Sequence, residues 1–113
     1  MEKAKIMISQ PMRNKTEEQI KSERAKLVKK LEEKGHEVVD TIFTKEPPKN
    51  CDSAIWYLAK SIDTISKVDA VIFMNGWQNA RGCEIEHKIC QQYGKPIMYE
   101  HELYIGVKNE CKC

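Results

Sequence analysis

Apolar and polar positions along this chain fall into blocks that switch repeatedly between strand and helix periodicity. Lys5 to Ser9 (Lys-Ile-Met-Ile-Ser) is a short apolar run stopped by Gln10-Pro11, which predicts a buried first strand. Thr16-Glu17-Glu18-Gln19 has the Thr-x-x-Gln form of a capping box, in which hydroxyl and amide each satisfy a backbone donor at a helix start. Ile20, Leu27, Val28 and Leu31 follow at helical spacing, and Gly35 supplies a left-handed stop, so the first helix runs to about Lys34. His36 to Thr41, carrying Val38-Val39, reads as a second strand, followed by a loop with Pro47-Pro48.

Ile55, Leu58, Ala59, Ile62 and Ile65 form the apolar stripe of a second helix, capped by Asp52 or Ser53. Asp69 to Met74 is apolar on both faces of a strand, which places it in the middle of a parallel sheet. The loop from Asn75 to Arg81 leads into a third helix from about Gly82 to Tyr93, closed by Gly94, and Pro96 to Tyr99 makes a fourth strand. Leu103 to Val107 is a candidate edge strand. The alternation predicts an α/β domain: a three-layer, doubly wound, flavodoxin or Rossmann-like fold on a mainly parallel sheet of four to five strands. Ligands on such folds sit beyond the carboxyl ends of the strands, where strand order reverses. The loops at Ser9 to Met12, at Asn75 to Gly82 and after Tyr99 therefore border the expected cleft.

Composition narrows the function classes. The 113 residues suit one domain, and 41% hydrophobic with 32% charged residues is the mixture of a folded, soluble chain. The longest apolar run, Ala70 to Met74, is far short of the ~20 residues that span a bilayer, and the N-terminus lacks a signal-peptide apolar region, so a cytoplasmic protein without a membrane partner is expected. Net charge is +2 with Lys and Glu interspersed, which gives no reason to expect a nucleic-acid polymer as partner. Five cysteines are an odd number without a secretory signal, which points to reduced thiols. Cys111-Lys112-Cys113 has no second closely spaced pair to complete a zinc site, so no metal is expected. Cys83 and Cys90, seven apart on one helix face, read as packing residues, and Trp56 as a core or interface residue. Asp69, at the strand end away from the cleft, reads as structural.

Glu86 is the candidate chemical centre. It lies one turn past Gly82, where the third helix borders the cleft, and helix N-termini favour anions, so the carboxylate is expected to be ionised. His87 points about 100° away around the helix and is the weaker candidate.

The segment Val71-Ile72-Phe73-Met74-Asn75-Gly76-Trp77-Gln78-Asn79-Ala80-Arg81-Gly82-Cys83-Glu84-Ile85-Glu86-His87, followed by Gln92-Tyr93-Gly94-Lys95-Pro96-Ile97, resembles the nucleoside 2-deoxyribosyltransferase superfamily, particularly its small phage and bacterial members of unassigned function. Ile8-Ser9-Gln10-Pro11-Met12 resembles that superfamily's Ser-Gly-Pro-Met loop. The resemblance implies that Glu86 is a nucleophile that attacks C1′ of a nucleoside or nucleotide and cleaves its N-glycosidic bond; water then gives a hydrolase and another base a transferase. It implies no cofactor. It further implies that Ser9, Gln10, Pro11 and Met12, with Asn75, Gly76, Trp77, Asn79, Arg81 and Gly82, bind the substrate. Trp77 would pack on the base or exclude solvent.

Two positions depart from the pattern. Ala80 stands where some nucleotide-cleaving relatives carry a phosphate-binding serine, a role open to Arg81 or Arg13, and Ser61 stands where relatives carry an aspartate. These departures define the alternative: a catalytically reduced protein that senses or sequesters a nucleotide-like ligand. The resemblance also implies a homodimer or higher homo-oligomer in which a neighbouring subunit helps to close the site, with Trp56, Tyr57 and the tail as candidate contact surfaces.

Overall fold

A computed structural model describes residues 3–39 and 46–103. Its strands are β1 (Lys5–Ser9), β2 (Glu37–Val39), β3 (Ala70–Phe73) and β4 (Ile97–Tyr99), and its helices are α1 (Glu17–Glu33), α2 (Ser53–Ile65) and α3 (Arg81–Tyr93). The sheet is all parallel with spatial order β2-β1-β3-β4. Strand order therefore reverses between β1 and β3, the position at which doubly wound sheets open a cleft.

The local signals act as their chemistry requires. Thr16 Oγ1 accepts from the Gln19 backbone N–H at 3.1 Å, while Gln19 Oε1 accepts from the Thr16 N–H at 2.8 Å, which completes the capping box. Gly35 follows the helix with φ of +88°, the left-handed conformation that glycine adopts without steric cost. Asp52 rather than Ser53 caps α2, accepting from the Ile55 N–H at 3.1 Å. Asp69 Oδ2 accepts from the Lys5 N–H at 2.8 Å, a structural tie at the sheet end away from the cleft.

Two apolar layers sandwich the sheet. Ile6, Ile8, Ala70 and Ile72 pack with Leu27 and Leu31 of α1 on one face. Met7, Val71 and Phe73 pack with Ile65 of α2 and Cys90 of α3 on the other. All four β3 residues are buried, as a central strand demands, whereas β2 and β4 at the edges are largely half-buried or exposed.

Two expectations change. The expected apolar stripe lies on α2, yet of its residues only Ile65 is buried and Ile55 is 63% exposed. The helix meets α3 near its C-terminal half and leaves its first turns uncovered, so its apolar periodicity marks a surface as much as a core. The candidate edge strand from Leu103 begins instead within a helical segment at residues 100–103, and residues 104–107 lie outside the described part. Residues 40 and 41 of the expected second strand, Cys111, Cys113 and the tail as a contact surface also lie outside it. Among the described residues no helix is long and apolar enough to cross a membrane.

Candidate active site

β1 and α3 bring the site together. Ser9 ends β1 in register with Phe73 of β3 and is 2% exposed, and its Oγ donates to Glu86 Oε1 at 2.6 Å. Glu86 is not a solvated helix glutamate: it is 7% exposed, uncommon for a carboxylate without an ion pair. Ser61 of α2 lines the same cavity, and its hydroxyl is near enough to favour the ionised form of this carboxyl. The serine that occupies the relatives' aspartate position thus lines the cavity of the central residue.

The shift at Glu86 runs opposite to a helix-dipole effect. Burial pushes its carboxyl above the usual range, and the hydroxyls of Ser9 and Ser61 pull it only part of the way back. The helix dipole acts within the first turn, and Glu86 stands in the second turn of a helix that starts at Arg81.

A cavity of about 830 Å³ opens over this carboxyl, within the size range of small-molecule sites. Ser9, Gln10, Met12 and Arg13 line it from the β1 side, Arg81, Gly82, Cys83 and Glu86 from α3, and Ala54, Tyr57, Leu58 and Ser61 from α2. Gln10 is 8% exposed, its Nε2 donates to the Ile20 carbonyl at 2.9 Å, and its Oε1 is buried without a partner. Cys83 contacts Ser9, and burial pushes its thiol up to about 11, the Ser9 hydrogen bond opposing and Glu86 adding to the rise. It is a protonated packing thiol at neutral pH, as is Cys90, pushed up to about 11 mainly by burial.

The remaining sequence candidates separate from this cavity. Asn75, Gly76 and Trp77 line a second cavity of about 390 Å³ with Phe73, Gln78, Tyr99 and His101. Gly76, at φ of +91°, turns the chain there into a short 3-10 turn at Trp77–Asn79, and a side chain at Gly76 would meet Pro11 Cγ at 3.8 Å. Trp77 stacks on His87, with ring centroids 3.9 Å apart and planes at 18°, rather than reaching the Glu86 cavity. His87 Nε2 and Tyr99 Oη are hydrogen-bonded at 2.7 Å, and burial lowers the imidazole's proton affinity. His87 therefore supports the aromatic layer on the side of α3 away from the carboxyl. Pro11 is buried, Asn79 is exposed, and neither lines either of these two cavities.

Sequence reading did not place Ser61, Tyr57 or Leu58 in the site. Only Ser61 carried a signal, through the position it shares with the relatives' aspartate. Among the described residues no three His, Cys, Asp or Glu side chains gather as a metal site would need.

Fold and site together define an α/β domain with a ligand-sized cavity built over one buried, serine-bonded carboxyl at the strand-order reversal. The chain matches the family described as Domain of unknown function (DUF4406) over residues 4–99 and belongs to that family. No curated protein and no solved structure matches it.

Removing the Ser9 hydroxyl isolates its effect on the carboxyl. Ser9→Ala is expected to raise the Glu86 pKa further, because one of the two hydroxyls that oppose burial is lost. It is also expected to cost about 1–3 kcal/mol of stability, the range for leaving a buried hydrogen-bonding group without its partner. Carbon NMR titration of the Glu86 carboxyl tests the direction; an unchanged or lowered value would show that Ser9 does not hold the ionised form.

Proposed function

We propose that the protein cleaves the N-glycosidic bond of a nucleoside or nucleotide, with Glu86 as nucleophile. The observation that carries this reading is the buried Glu86 carboxyl, hydrogen-bonded by Ser9 beneath a cavity of about 830 Å³ that Ser61 also lines. A carboxylate oxygen held by hydroxyl donors keeps one orientation, and a largely dry site strengthens its action on a developing cationic sugar carbon. Ionised Glu86 attacks C1′, the C1′–N bond breaks, and the base departs with the bonding electrons and takes a proton from solvent. Attack on C1′ by water, with loss of a proton, or by another base, then returns the free carboxylate. Because burial favours the protonated carboxyl, turnover rises with pH as Glu86 ionises. Likeness to the nucleoside 2-deoxyribosyltransferase superfamily supports the assignment.

A second reading, favoured by Ser61 at the relatives' aspartate position, is a nucleotide-ligand binding protein without turnover. Incubation with nucleosides, deoxynucleosides and their 5′-monophosphates, with chromatography of free base, separates the two. Base release that requires Glu86 supports the enzyme, and saturable binding without release supports the binding protein.

We also infer that a second copy of the chain covers the first turns of α2. Ile55 is 63% and Tyr57 41% exposed there, and Tyr57 and Leu58 form one wall of the cavity, so a partner seated on this face would close the site. Analytical ultracentrifugation is expected to find a dimer or larger oligomer that Ile55→Glu weakens. A monomer at working concentration would sink the idea. This working protein is expected in the cytoplasm.

A further inference from the structure

The second cavity, of about 390 Å³, has no part in the chemistry proposed for Glu86. It lies beyond the carboxyl ends of β3 and β4, the strands that Phe73 and Tyr99 close. Phe73, Trp77, Tyr99 and His101 give it four aromatic rings. Trp77 and Tyr99 lie with ring centroids 6.1 Å apart and planes at 28°, and Tyr99 and His101 follow at 5.9 Å and 24°. Near-parallel rings at these separations overlap little, so they leave much of each other's faces uncovered. Trp77 and Tyr99 are accordingly only half-buried, and His101 is exposed. The face of an aromatic ring is the negative part of its quadrupole, and tryptophan presents the strongest one to a cation.

Charge around this cavity has one sign. No Lys or Arg lines it. Two carboxylates stand at its wall: Glu100 accepts from the Asn75 backbone N–H at 2.9 Å and Glu102 from the Tyr99 backbone N–H at 3.1 Å, and both Asn75 and Tyr99 line the cavity. Among the described residues neither carboxylate has an ion pair. Asn75 and Gln78, both exposed, add amide oxygens that accept hydrogen bonds. His87, stacked on Trp77, supplies no cation to the cluster, because burial holds its imidazole towards the neutral form.

We propose that this cavity binds a small organic cation, whose ammonium group sits against the Trp77 and Tyr99 rings in the field of Glu100 and Glu102. Ring faces attract a cation more strongly as it is desolvated, and the amide oxygens accept from its N–H groups. An anion is repelled by the two carboxylates, and a neutral ring of equal size gains the stacking without the charge. The volume is near the lower end of small-molecule sites, which suits a compact ligand. Residues 75–78 wall this cavity and residues 80–83 wall the Glu86 cavity, yet the two share no lining residue. The proposal therefore stands whether or not Glu86 is a nucleophile.

Trp56→Phe leaves Trp77 as the one indole of the chain, and its emission is followed as benzylammonium or cyclohexylmethylammonium is added. Benzyl alcohol and cyclohexylmethanol are the neutral counterparts. A saturable change is expected, with at least one cation bound at least about tenfold more tightly than its alcohol. Isothermal titration of the unsubstituted chain is expected to return the same dissociation constants. Glu100→Gln combined with Glu102→Gln keeps an acceptor for each backbone N–H, and is expected to lower cation affinity at least about fivefold while leaving the alcohols unchanged. Trp77→Leu, read by isothermal titration, is expected to lower it to a similar degree; if loss of the His87 stack unfolds that chain, the carboxylate pair alone decides. Glu86→Gln is expected to leave cation affinity unchanged. No saturable change with either cation, alcohols bound as tightly, or affinity that survives loss of both carboxylates, or of Trp77 in a folded chain, overturns the proposal. Affinity lost in Glu86→Gln would assign the cation to the main cavity and overturn it too.

Discussion

Glu86→Gln is expected to lower base release by at least about 10³-fold, the scale of loss when a covalent nucleophile is removed. The amide keeps the volume of the side chain and still offers Ser9 an oxygen acceptor, so the cavity survives while the attacking carboxylate does not. Affinity for a non-cleaved ligand should change far less than the rate, which distinguishes a nucleophile from a residue that only shapes the cavity. If the substituted protein released base at close to the parent rate, Glu86 would have no covalent role.

Stability should move the other way. The folded carboxyl binds its proton more tightly than it would in an unfolded chain, because burial raises its pKa. Between the unfolded pKa and the raised folded value, the native state holds more protons, so this group's contribution is full below the window and is lost as pH rises through it. Glu86→Gln lacks that loss. The stability of the substituted protein relative to the parent is therefore expected to improve from acidic to neutral pH, as followed by urea denaturation. Under the proposed function, this carboxyl trades stability for activity as it ionises, a common relation.

Phe73→Ala is the second large effect, expected to cost about 3–5 kcal/mol of folding free energy, the range for deleting a buried aromatic ring. Phe73 is 1% exposed and ends the central strand. Its ring lies 4.9 Å from that of His87, edge-on at 73°, and 5.6 Å from that of Trp77. The deletion leaves a void under α3 that these rigid rings cannot fill by changing rotamer. Against a total of about 5–15 kcal/mol, the loss is a large fraction, and a melting temperature lower by at least about 12 °C is the accessible readout. A loss below about 1 kcal/mol would mean that the ring cluster does not anchor α3.

How far the fold could be read differs from how far the site could. The capping box at Thr16, the stop at Gly35 and the two-sided apolar run of β3 are local features, and each determined its element because backbone geometry at those positions has few solutions. The α2 stripe was misleading because helical periodicity reports an apolar face without saying what covers it. Ile55 and Ile65 look alike in the pattern and differ only in whether the rest of the fold reaches them. The loop at Asn75 to Asn79 was correctly placed at the strand ends, but the left-handed Gly76 and the turn after it send Trp77 to the second cavity, and that direction depends on dihedral angles the pattern does not carry. The sign of the Glu86 shift was illegible for a related reason: position in a helix suggests a dipole effect, whereas burial, which dominates here, is a property of the whole assembly.

The bond from Ser9 to Glu86 joins residues 77 positions apart. The buried, serine-bonded carboxyl therefore has no counterpart in any local fragment: a peptide spanning α3 alone would display an ordinary solvated glutamate. Its altered acidity arises only once the first strand has docked beside the third, so the buried carboxyl is a product of long-range closure and not of the helix that carries it. A nascent or partly unfolded chain would carry the residue but not its buried environment.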